Sequence, residues 1–140
     1  MIVITSDHAG FSMKQSLVKI LNYKYSFIDL GTNSSLHSVD YNDYAEMLVK
    51  EVLAHKLFGV LICYTGIGMS IAANRNKLIR AALCYDCESA RLSRLHNDAN
   101  VLVLSGRIDL TKSAKILNTF MSTRFSNEER HIRRVAKLTC

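Results

Sequence analysis

The chain has 140 residues, of which 49% are hydrophobic and 21% are charged, and this balance excludes an intrinsically disordered protein. The length is typical of one domain, so we expect a single domain over residues 1–140. The formal net charge of +6 suits a nucleic-acid binder and equally an enzyme that attracts phosphorylated metabolites, so charge excludes neither class.

Apolar runs alternate with helical patterns along the chain. Strands are predicted at residues 2–6, 25–30, 59–63, 79–84 and 100–104, and helices after residue 10 and at 43–56, 69–77, 86–95 and 111–122. Nearly continuous apolar strands separated by amphipathic helices predict an α/β fold, a three-layer sandwich around a five-stranded parallel sheet. For such a Rossmann-like or flavodoxin-like sheet we expect the strand order 2-1-3-4-5.

The last fifteen residues, 126–140, predict one more amphipathic helix. Its basic face carries Arg130, Arg133, Arg134 and Lys137, and its apolar face carries Ile132, Val135 and Leu138. An apolar face needs a partner, so we expect this helix to take part in dimerisation.

No sequence feature indicates export or a membrane span. No apolar stretch approaches the roughly 18 residues of a membrane helix, and residues 1–8 lack the basic and long apolar regions of a signal peptide. The four cysteines would suit a disulfide framework only in a secreted protein, so we expect a cytoplasmic protein with reduced thiols and no membrane partner. Cys84 and Cys87 have C-x-x-C spacing without a second pair of zinc ligands, so we interpret them as structural and predict neither a metal nor a cofactor.

Polar residues gather where the predicted strands and helices end. Ligands of open parallel sheets bind beyond the carboxyl ends of the strands. The candidates are Asp7 and His8 after the first strand, Asp40 and Tyr41 at the second helix, residues 63–70 after the third strand, and His96 and Asn97 at the end of the fourth helix. We expect Cys63, His96 and Asp7 to line one pocket with a basic patch on its far side.

The most informative segment, residues 61–74, takes a buried strand through a turn with Gly66 and Gly68 into a helix. Successive backbone N–H groups at such a turn can hold an anion and favour the thiolate of a nearby cysteine. Cys63 lies at the start of the turn and is the candidate base. A buried structural cysteine beside a tight turn explains the same segment.

The other candidates also have structural explanations. His96 could satisfy carbonyl groups at a helix end, and Asp7 could cap the first helix. Arg130 and Arg134 are four residues apart and share a helix face, where they could clamp a phosphate or simply face solvent.

Taken together, the residues resemble the family of ribose-5-phosphate isomerase B and the galactose-6-phosphate isomerase subunits. The resemblance spans almost the whole chain. It rests on residues 6–11, Asp40-Tyr41 with Tyr44-Ala45, Cys63 with 65–74, residues 90–101, Gly106-Arg107, and Arg130-His131 with Arg134-Val135. It implies an aldose-ketose isomerase that interconverts ribose 5-phosphate and ribulose 5-phosphate through a cis-enediolate, in the non-oxidative pentose phosphate pathway and without a metal.

The resemblance also implies a role for each site residue. Cys63 would be the base, Thr65 would assist proton movement between the substrate oxygens, and His96, helped by Asp7, would open the furanose ring. The backbone N–H groups of Gly66, Ile67, Gly68, Met69 and Ser70 would form an oxyanion hole. His8, Arg107, Arg130 and Arg134 would bind the phosphate, and Asp40, Tyr41 and Asn97 would complete the substrate site. The implied assembly is a homodimer with shared active sites, which could pair further into a tetramer.

Two positions depart from the family pattern. Asn42 replaces the proline that is common after Asp-Tyr, which should loosen one loop more than alter the chemistry. Tyr64 follows Cys63 where the family usually has glycine. Positive φ is costly for an aromatic residue. If the turn requires positive φ at this position, the tyrosine would displace the anion site. An ordinary backbone would leave the ring to narrow the pocket.

Three other functions remain open at this stage. The same proton transfer serves galactose 6-phosphate and other hexose phosphates. A scaffold of this kind also supports a non-catalytic sugar-phosphate sensor, although the presence of Cys63 argues against it. A nucleic-acid-binding module is suggested by charge alone, without an aromatic stacking platform or helix-turn-helix pattern, and we expect no nucleic-acid partner.

Overall fold

Strands and helices alternate along the chain, as the apolar runs predict. The computed structural model describes residues 1–140. The strands are β1 (Ile2–Ser6), β2 (Phe27–Asp29), β3 (Phe58–Cys63), β4 (Ala81–Leu83) and β5 (Val101–Ser105). The helices are α1 (Phe11–Leu21), α2 (Tyr41–His55), α3 (Ile67–Ala73), α4 (Cys87–Asn97), α5 (Leu110–Ser122) and α6 (Glu129–Leu138). The predicted α/β fold with its five-stranded parallel sheet is confirmed.

The strand order differs from the prediction at one edge of the sheet. The order is β2-β1-β3-β5-β4, so the predicted 2-1-3-4-5 is wrong for the last two strands. All five residues of β5 are buried, and β5 pairs with β3 from Gly59↔Val101 to Cys63↔Ser105. The shorter β4 is half-buried and pairs with β5 alone, which suits an edge strand.

Side chains of the central strands alternate between two hydrophobic clusters. Ile2 and Ile4 of β1 face the layer of α1, α4 and α5, whereas Val3 faces the layer of α2 and α3. The two clusters lie on opposite faces of one sheet and form the predicted three-layer sandwich.

Helix α3 is shorter than predicted because the side chain of Asn74 pairs with the backbone of the edge strand β4. The side-chain amide of Asn74 donates to the carbonyl of Ala81 at 2.9 Å and accepts from the Ala81 N–H at 2.8 Å. An asparagine side chain that pairs with the backbone competes with helical hydrogen bonds. The helix therefore ends at Ala73 rather than at residue 77.

The terminal helix α6 packs on α4. The Ser126 N–H donates to the Leu95 carbonyl at 3.0 Å, and His131 is the buried residue of α6. Ile132 and Leu138 remain 48% and 54% exposed. A role of α6 in dimerisation stays a prediction. None of the helices combines the length and apolar character needed to cross a membrane.

Candidate active site

Cys63 is the last residue of β3. It lies where the parallel strands have their carboxyl ends, and we call this side of the sheet the carboxyl edge. It is 5% exposed, and its Sγ accepts the N–H of Gly66 at 3.1 Å. Gly66 has φ +84°, and this left-handed backbone turns the chain from the strand toward α3. The turn therefore holds the sulfur beside a backbone N–H donor at the start of α3.

Two backbone N–H groups of the same turn are free to bind an anion. Of the predicted oxyanion hole, the N–H groups of Gly66, Ile67 and Ser70 already donate, to Cys63 Sγ, to Thr65 Oγ1 at 3.2 Å and to the Gly66 carbonyl at 3.0 Å. Those of Gly68 and Met69 make no hydrogen bond within the chain. The predicted set of five thus reduces to two donors that a bound oxyanion could use without displacing a partner.

The loop after β1 brings Asp7 and His8 beside this turn. The Asp7 N–H donates to the Ile62 carbonyl at 3.2 Å, which places Asp7 next to the end of β3. Asp7 is 6% exposed, and its Oδ1 accepts the N–H of Gly10 at 2.9 Å, whereas Oδ2 has no partner in the chain. His8 Nδ1 accepts the Val39 N–H at 3.2 Å. Asp7 therefore shapes the loop with one oxygen and leaves the other available for chemistry.

Tyr41 covers the first turn of α3. A Cβ at Gly68 would lie 2.6 Å from Cζ of Tyr41, so the absence of a side chain at Gly68 lets the ring settle there. Asp40 precedes Tyr41 as the N-cap residue of α2 and is exposed, with no capping hydrogen bond from its carboxylate. Both predicted residues thus lie at the edge that carries Cys63.

The backbone of Tyr64 is ordinary. Positive φ values outside glycine occur only at Lys56, Asp98 and Asn127, so the turn uses Gly66 for its left-handed step and leaves Tyr64 unstrained. The side chain of Tyr64 is 60% exposed, and the guanidinium of Arg107 lies 5.3 Å from its ring centroid. The anion site is therefore not displaced by the tyrosine.

His96 lies where the strands have their amino ends, which we call the amino edge of the sheet. The prediction that it shares a pocket with Cys63 and Asp7 within one chain is therefore wrong. Helix α4 crosses back from the end of β4 to the start of β5, so its last turn lies near Val101 and Gly59. From Gly59 to Cys63 the strand rises roughly 13 Å. A histidine at the end of a crossover helix cannot reach the carboxyl ends of the strands.

His96 instead belongs to a cluster between α4 and α6. Its ring stacks on that of His131, with centroids 4.3 Å apart and an angle of 12° between the ring planes. Arg130 and Arg134 are exposed on α6, where Arg130 Nε donates to Glu128 Oε2 at 2.9 Å. The site residues therefore form two separate groups. The group around Cys63, which we call the thiol half-site, consists of Asp7, His8, Asp40, Tyr41, Cys63, Thr65–Ser70 and Arg107. The group around His96, which we call the imidazole half-site, consists of His96, Asn97, Arg130, His131 and Arg134.

Sequence reasoning did not assign His131 to the site. It is 5% exposed, and its Nε2 has no hydrogen-bond partner. Burial, followed by the charges of His96 and Arg130, lowers the pKa of His131, so the neutral ring is favoured. The one sequence feature that could have pointed to His131 was its position next to Arg130 in a basic helix. Its stacking partner, His96, lies on another helix, so the contact itself is not visible in the sequence.

The cavities of the chain lie away from Cys63. Three cavities open on the surface, and none is lined by Cys63, Asp7 or His96. One of about 420 Å³ reaches Asn97 beside Lys77 and Arg80. No residue of the thiol half-site lines any of the three cavities. No group of three or more histidine, cysteine, aspartate or glutamate side chains could hold a metal ion.

The cysteines outside the site are free thiols. Burial raises the pKa of the Cys84 thiol, so this cysteine stays protonated and is a poor nucleophile. This agrees with our structural interpretation of the C-x-x-C pair.

Known proteins resemble this chain over nearly its whole length. A family model described as Ribose/Galactose Isomerase matches residues 2–138. Ribose-5-phosphate isomerase B of Escherichia coli (strain K12) is 39% identical over 136 residues, which cover 95% of this chain and 90% of that protein.

Solved structures agree with these sequence matches. A ribose 5-phosphate isomerase from Thermotoga maritima superposes with a TM-score of 0.95 at 48% identity, covering 99% of this chain and 96% of that one. Ribose-5-phosphate isomerase B from Mycoplasma genitalium, with bound ribulose-5-phosphate, gives a TM-score of 0.92 at 37% identity and covers 99% of this chain and 93% of its own. The chain belongs to the ribose/galactose isomerase family and is an isomerase, as its motifs predict.

Proposed function

We propose that this isomerase interconverts ribose 5-phosphate and ribulose 5-phosphate and that Cys63 moves the proton. The observation that carries the proposal is the position of Cys63. Its Sγ accepts a backbone N–H, and the unpaired N–H groups of Gly68 and Met69 follow in the same turn. A base beside preorganised donors suits a reaction in which a proton leaves carbon while negative charge develops on oxygen.

The proposed reaction begins on the open-chain aldose. The Cys63 thiolate takes the proton from C2, the electrons of that C–H bond form a C1=C2 double bond, and the charge collects on O1. The N–H groups of Gly68 and Met69 stabilise this cis-enediolate. The Thr65 hydroxyl relays a proton from O2 to O1, and the Cys63 thiol returns its proton to C1, which leaves a carbonyl at C2.

A five-carbon substrate is favoured over galactose 6-phosphate by the relatives. The family description covers ribose and galactose isomerases alike. The proteins of Escherichia coli and Mycoplasma genitalium are both named ribose-5-phosphate isomerase B. In addition, this one chain carries the cysteine, the histidine and the arginines, whereas a heteromeric enzyme could divide them between subunits.

The proposed active site is shared between two copies of the chain. Cys63 lies at the carboxyl edge of the sheet and His96 at the amino edge, so one copy offers a thiol half-site and an imidazole half-site that cannot meet each other. A two-fold dimer would join each thiol half-site to the imidazole half-site of its partner. His96 and Asp7 would then open the furanose ring together, and His8, Arg107, Arg130 and Arg134 would surround the phosphate.

This function assigns the chain a place in the cell. Interconversion of these pentose phosphates belongs to the non-oxidative pentose phosphate pathway. The four cysteines are free thiols, which suits a reducing cytoplasm. Both hydrophobic clusters cover a single sheet, so we treat residues 1–140 as one catalytic domain.

The test is a comparison of kcat/KM on ribose 5-phosphate, galactose 6-phosphate and other hexose phosphates with the purified protein. We expect ribose 5-phosphate to exceed each six-carbon substrate by at least about tenfold, the usual discrimination for one carbon in a fitted site. Preference for galactose 6-phosphate would replace the proposed substrate. Binding of sugar phosphates with no turnover of any would indicate the sensor function instead.

A further inference from the structure

Tyr64 and Arg107 follow neighbouring strands and are joined through a buried serine. Ser105 is 0% exposed, and its Oγ donates to the Tyr64 carbonyl at 2.7 Å while accepting the Arg107 N–H at 3.1 Å. The Gly106 N–H donates to the Cys63 carbonyl at 2.8 Å. These three hydrogen bonds fix the backbone of Arg107 relative to that of Cys63.

The side chains of Tyr64 and Arg107 meet above this serine. The Arg107 guanidinium lies 5.3 Å from the centroid of the Tyr64 ring, within cation–π range. No carboxylate pairs with Arg107, and its guanidinium donates no hydrogen bond within the chain. The guanidinium therefore lies against the Tyr64 ring, while its N–H groups and its charge have no partner within the chain.

We propose that Tyr64 is a positioning residue for the substrate's phosphate and acts through Arg107. The proposal rests on the proposed function and deepens it. The ring of Tyr64 holds the guanidinium in one place at the edge of the sheet, at a fixed separation from Cys63. The free N–H fork then donates to the phosphate.

The physical reason is the conformational entropy of arginine. An exposed arginine side chain samples many rotamers, and binding an anion must freeze them. A guanidinium held against an aromatic ring has fewer rotamers to lose, and its planar fork can still donate two parallel hydrogen bonds. Removal of the ring should therefore weaken phosphate binding without affecting the proton transfer at Cys63.

The experiment compares Tyr64→Ala and Tyr64→Phe with the wild-type protein and with Arg107→Ala. Since an exposed cation–π contact contributes modestly, Tyr64→Ala should raise KM for ribose 5-phosphate about two- to fivefold and leave kcat within about twofold. Tyr64→Phe keeps the ring, and the Tyr64 hydroxyl makes no hydrogen bond in the chain, so KM should return to the wild-type value. Tyr23→Ala, at an 81% exposed tyrosine that belongs to neither half-site, is the matched control.

A double-mutant cycle tests whether Tyr64 acts through Arg107. In the Arg107→Ala background, Tyr64→Ala should add less than about 1.5-fold, because interacting residues are not additive. A full additional two- to fivefold effect, or a KM for Tyr64→Ala equal to that of Tyr23→Ala, would overturn the proposal.

Calorimetric titration with inorganic phosphate separates this proposal from the proposed function, because it needs no turnover. Suppose that the wild type does not isomerise ribose 5-phosphate and that Tyr64→Ala binds phosphate more weakly than the wild type. The proposed substrate would then be wrong, and the role of Tyr64 would stand. If the wild type isomerises ribose 5-phosphate and both proteins bind phosphate equally well, the role of Tyr64 would be wrong and the proposed substrate would stand.

Discussion

The two glycines of the turn after β3, Gly66 and Gly68, have different structural roles. Gly66 provides the left-handed backbone, at φ +84°, that brings its N–H to Cys63 Sγ. Gly68 provides room for the Tyr41 ring. The G-x-G spacing predicts an anion site but cannot say which glycine has which task, because the ring that needs Gly68 comes from another part of the chain.

Substitution Gly66→Ala should destabilise the fold by about 2 kcal/mol, because an L residue is strained in this conformation. Its Cβ would also lie 2.5 Å from Cδ1 of Leu83. The measurement is the free energy of unfolding in urea. Gly106→Ala is the control, because its Cβ would approach no atom closer than 3.2 Å, and its cost should stay below about 1 kcal/mol. Equal costs for the two variants would contradict the role of the backbone at Gly66.

Lys14 marks a limit of reasoning from single residues. It is 0% exposed, and its Nζ donates to Asp29 Oδ1 at 2.5 Å and to the Thr32 carbonyl at 2.9 Å. Lysine is almost never fully buried without a partner. The partner lies fifteen residues away in β2, and the packing of α1 beside the β1–β2 pair brings the two together, so no local pattern in the sequence reveals this buried ion pair.

At the level of elements, the sequence predicts which strands and helices exist better than it predicts their direction and order. Continuous apolar runs identify every strand, because the strands of a parallel sheet covered on both faces contain few polar residues. These runs do not rank β4 against β5, since both strands show one, and the order was wrong at this point. The error for His96 has a different origin, because the end of a crossover helix returns to the amino edge of the sheet whatever the order of the strands.

The contact of α6 with α4 should depend on pH through His131. The pKa of His131 is lowered in the folded chain, so the unfolded chain binds a proton more readily below the ordinary value of 6.5. The free energy of unfolding should therefore fall as pH decreases from about 7 to 5. The groups facing His131 are His96, Arg130, Arg134 and Glu128, of which Glu128 alone favours the protonated form.

His131→Phe keeps an aromatic ring and removes the titration. Urea denaturation of both proteins at pH 5, 6, 7 and 8 isolates the contribution of His131, because all other groups are shared. The loss of stability between pH 7 and pH 5 should be smaller in the variant. Parallel pH profiles would contradict a role for the buried imidazole.

For the whole molecule, the separation of the half-sites is the main feature that the sequence did not predict within one chain. The motifs identified the residues of both half-sites except His131, because each motif is local. Their distance depends on the path of α4 across the sheet, which no local motif encodes. A shared site in a dimer would reunite Cys63, Asp7 and His96 without changing the role predicted for any of the three.

Mixed dimers test this shared site. Cys63→Ala and His96→Ala should each abolish most isomerase activity, one in each half-site. If the two proteins are unfolded together and refolded as a mixture, half the dimers should be mixed and each should carry one intact site, which restores about a quarter of the wild-type activity. A mixture no more active than its components would contradict sharing, and separately refolded proteins mixed afterwards provide the control.

The central claim is that the Cys63 thiolate transfers the proton. Its most direct test is the conversion of ribose 5-phosphate to ribulose 5-phosphate by the wild type and by Cys63→Ser, with a metal chelator present and with the fold of both proteins checked by circular dichroism. We predict that the wild type retains activity in the chelator and that the variant, folded but lacking the thiol, loses at least about a hundredfold in kcat, as expected for removal of a general base. A folded Cys63→Ser protein with near wild-type kcat would contradict the account.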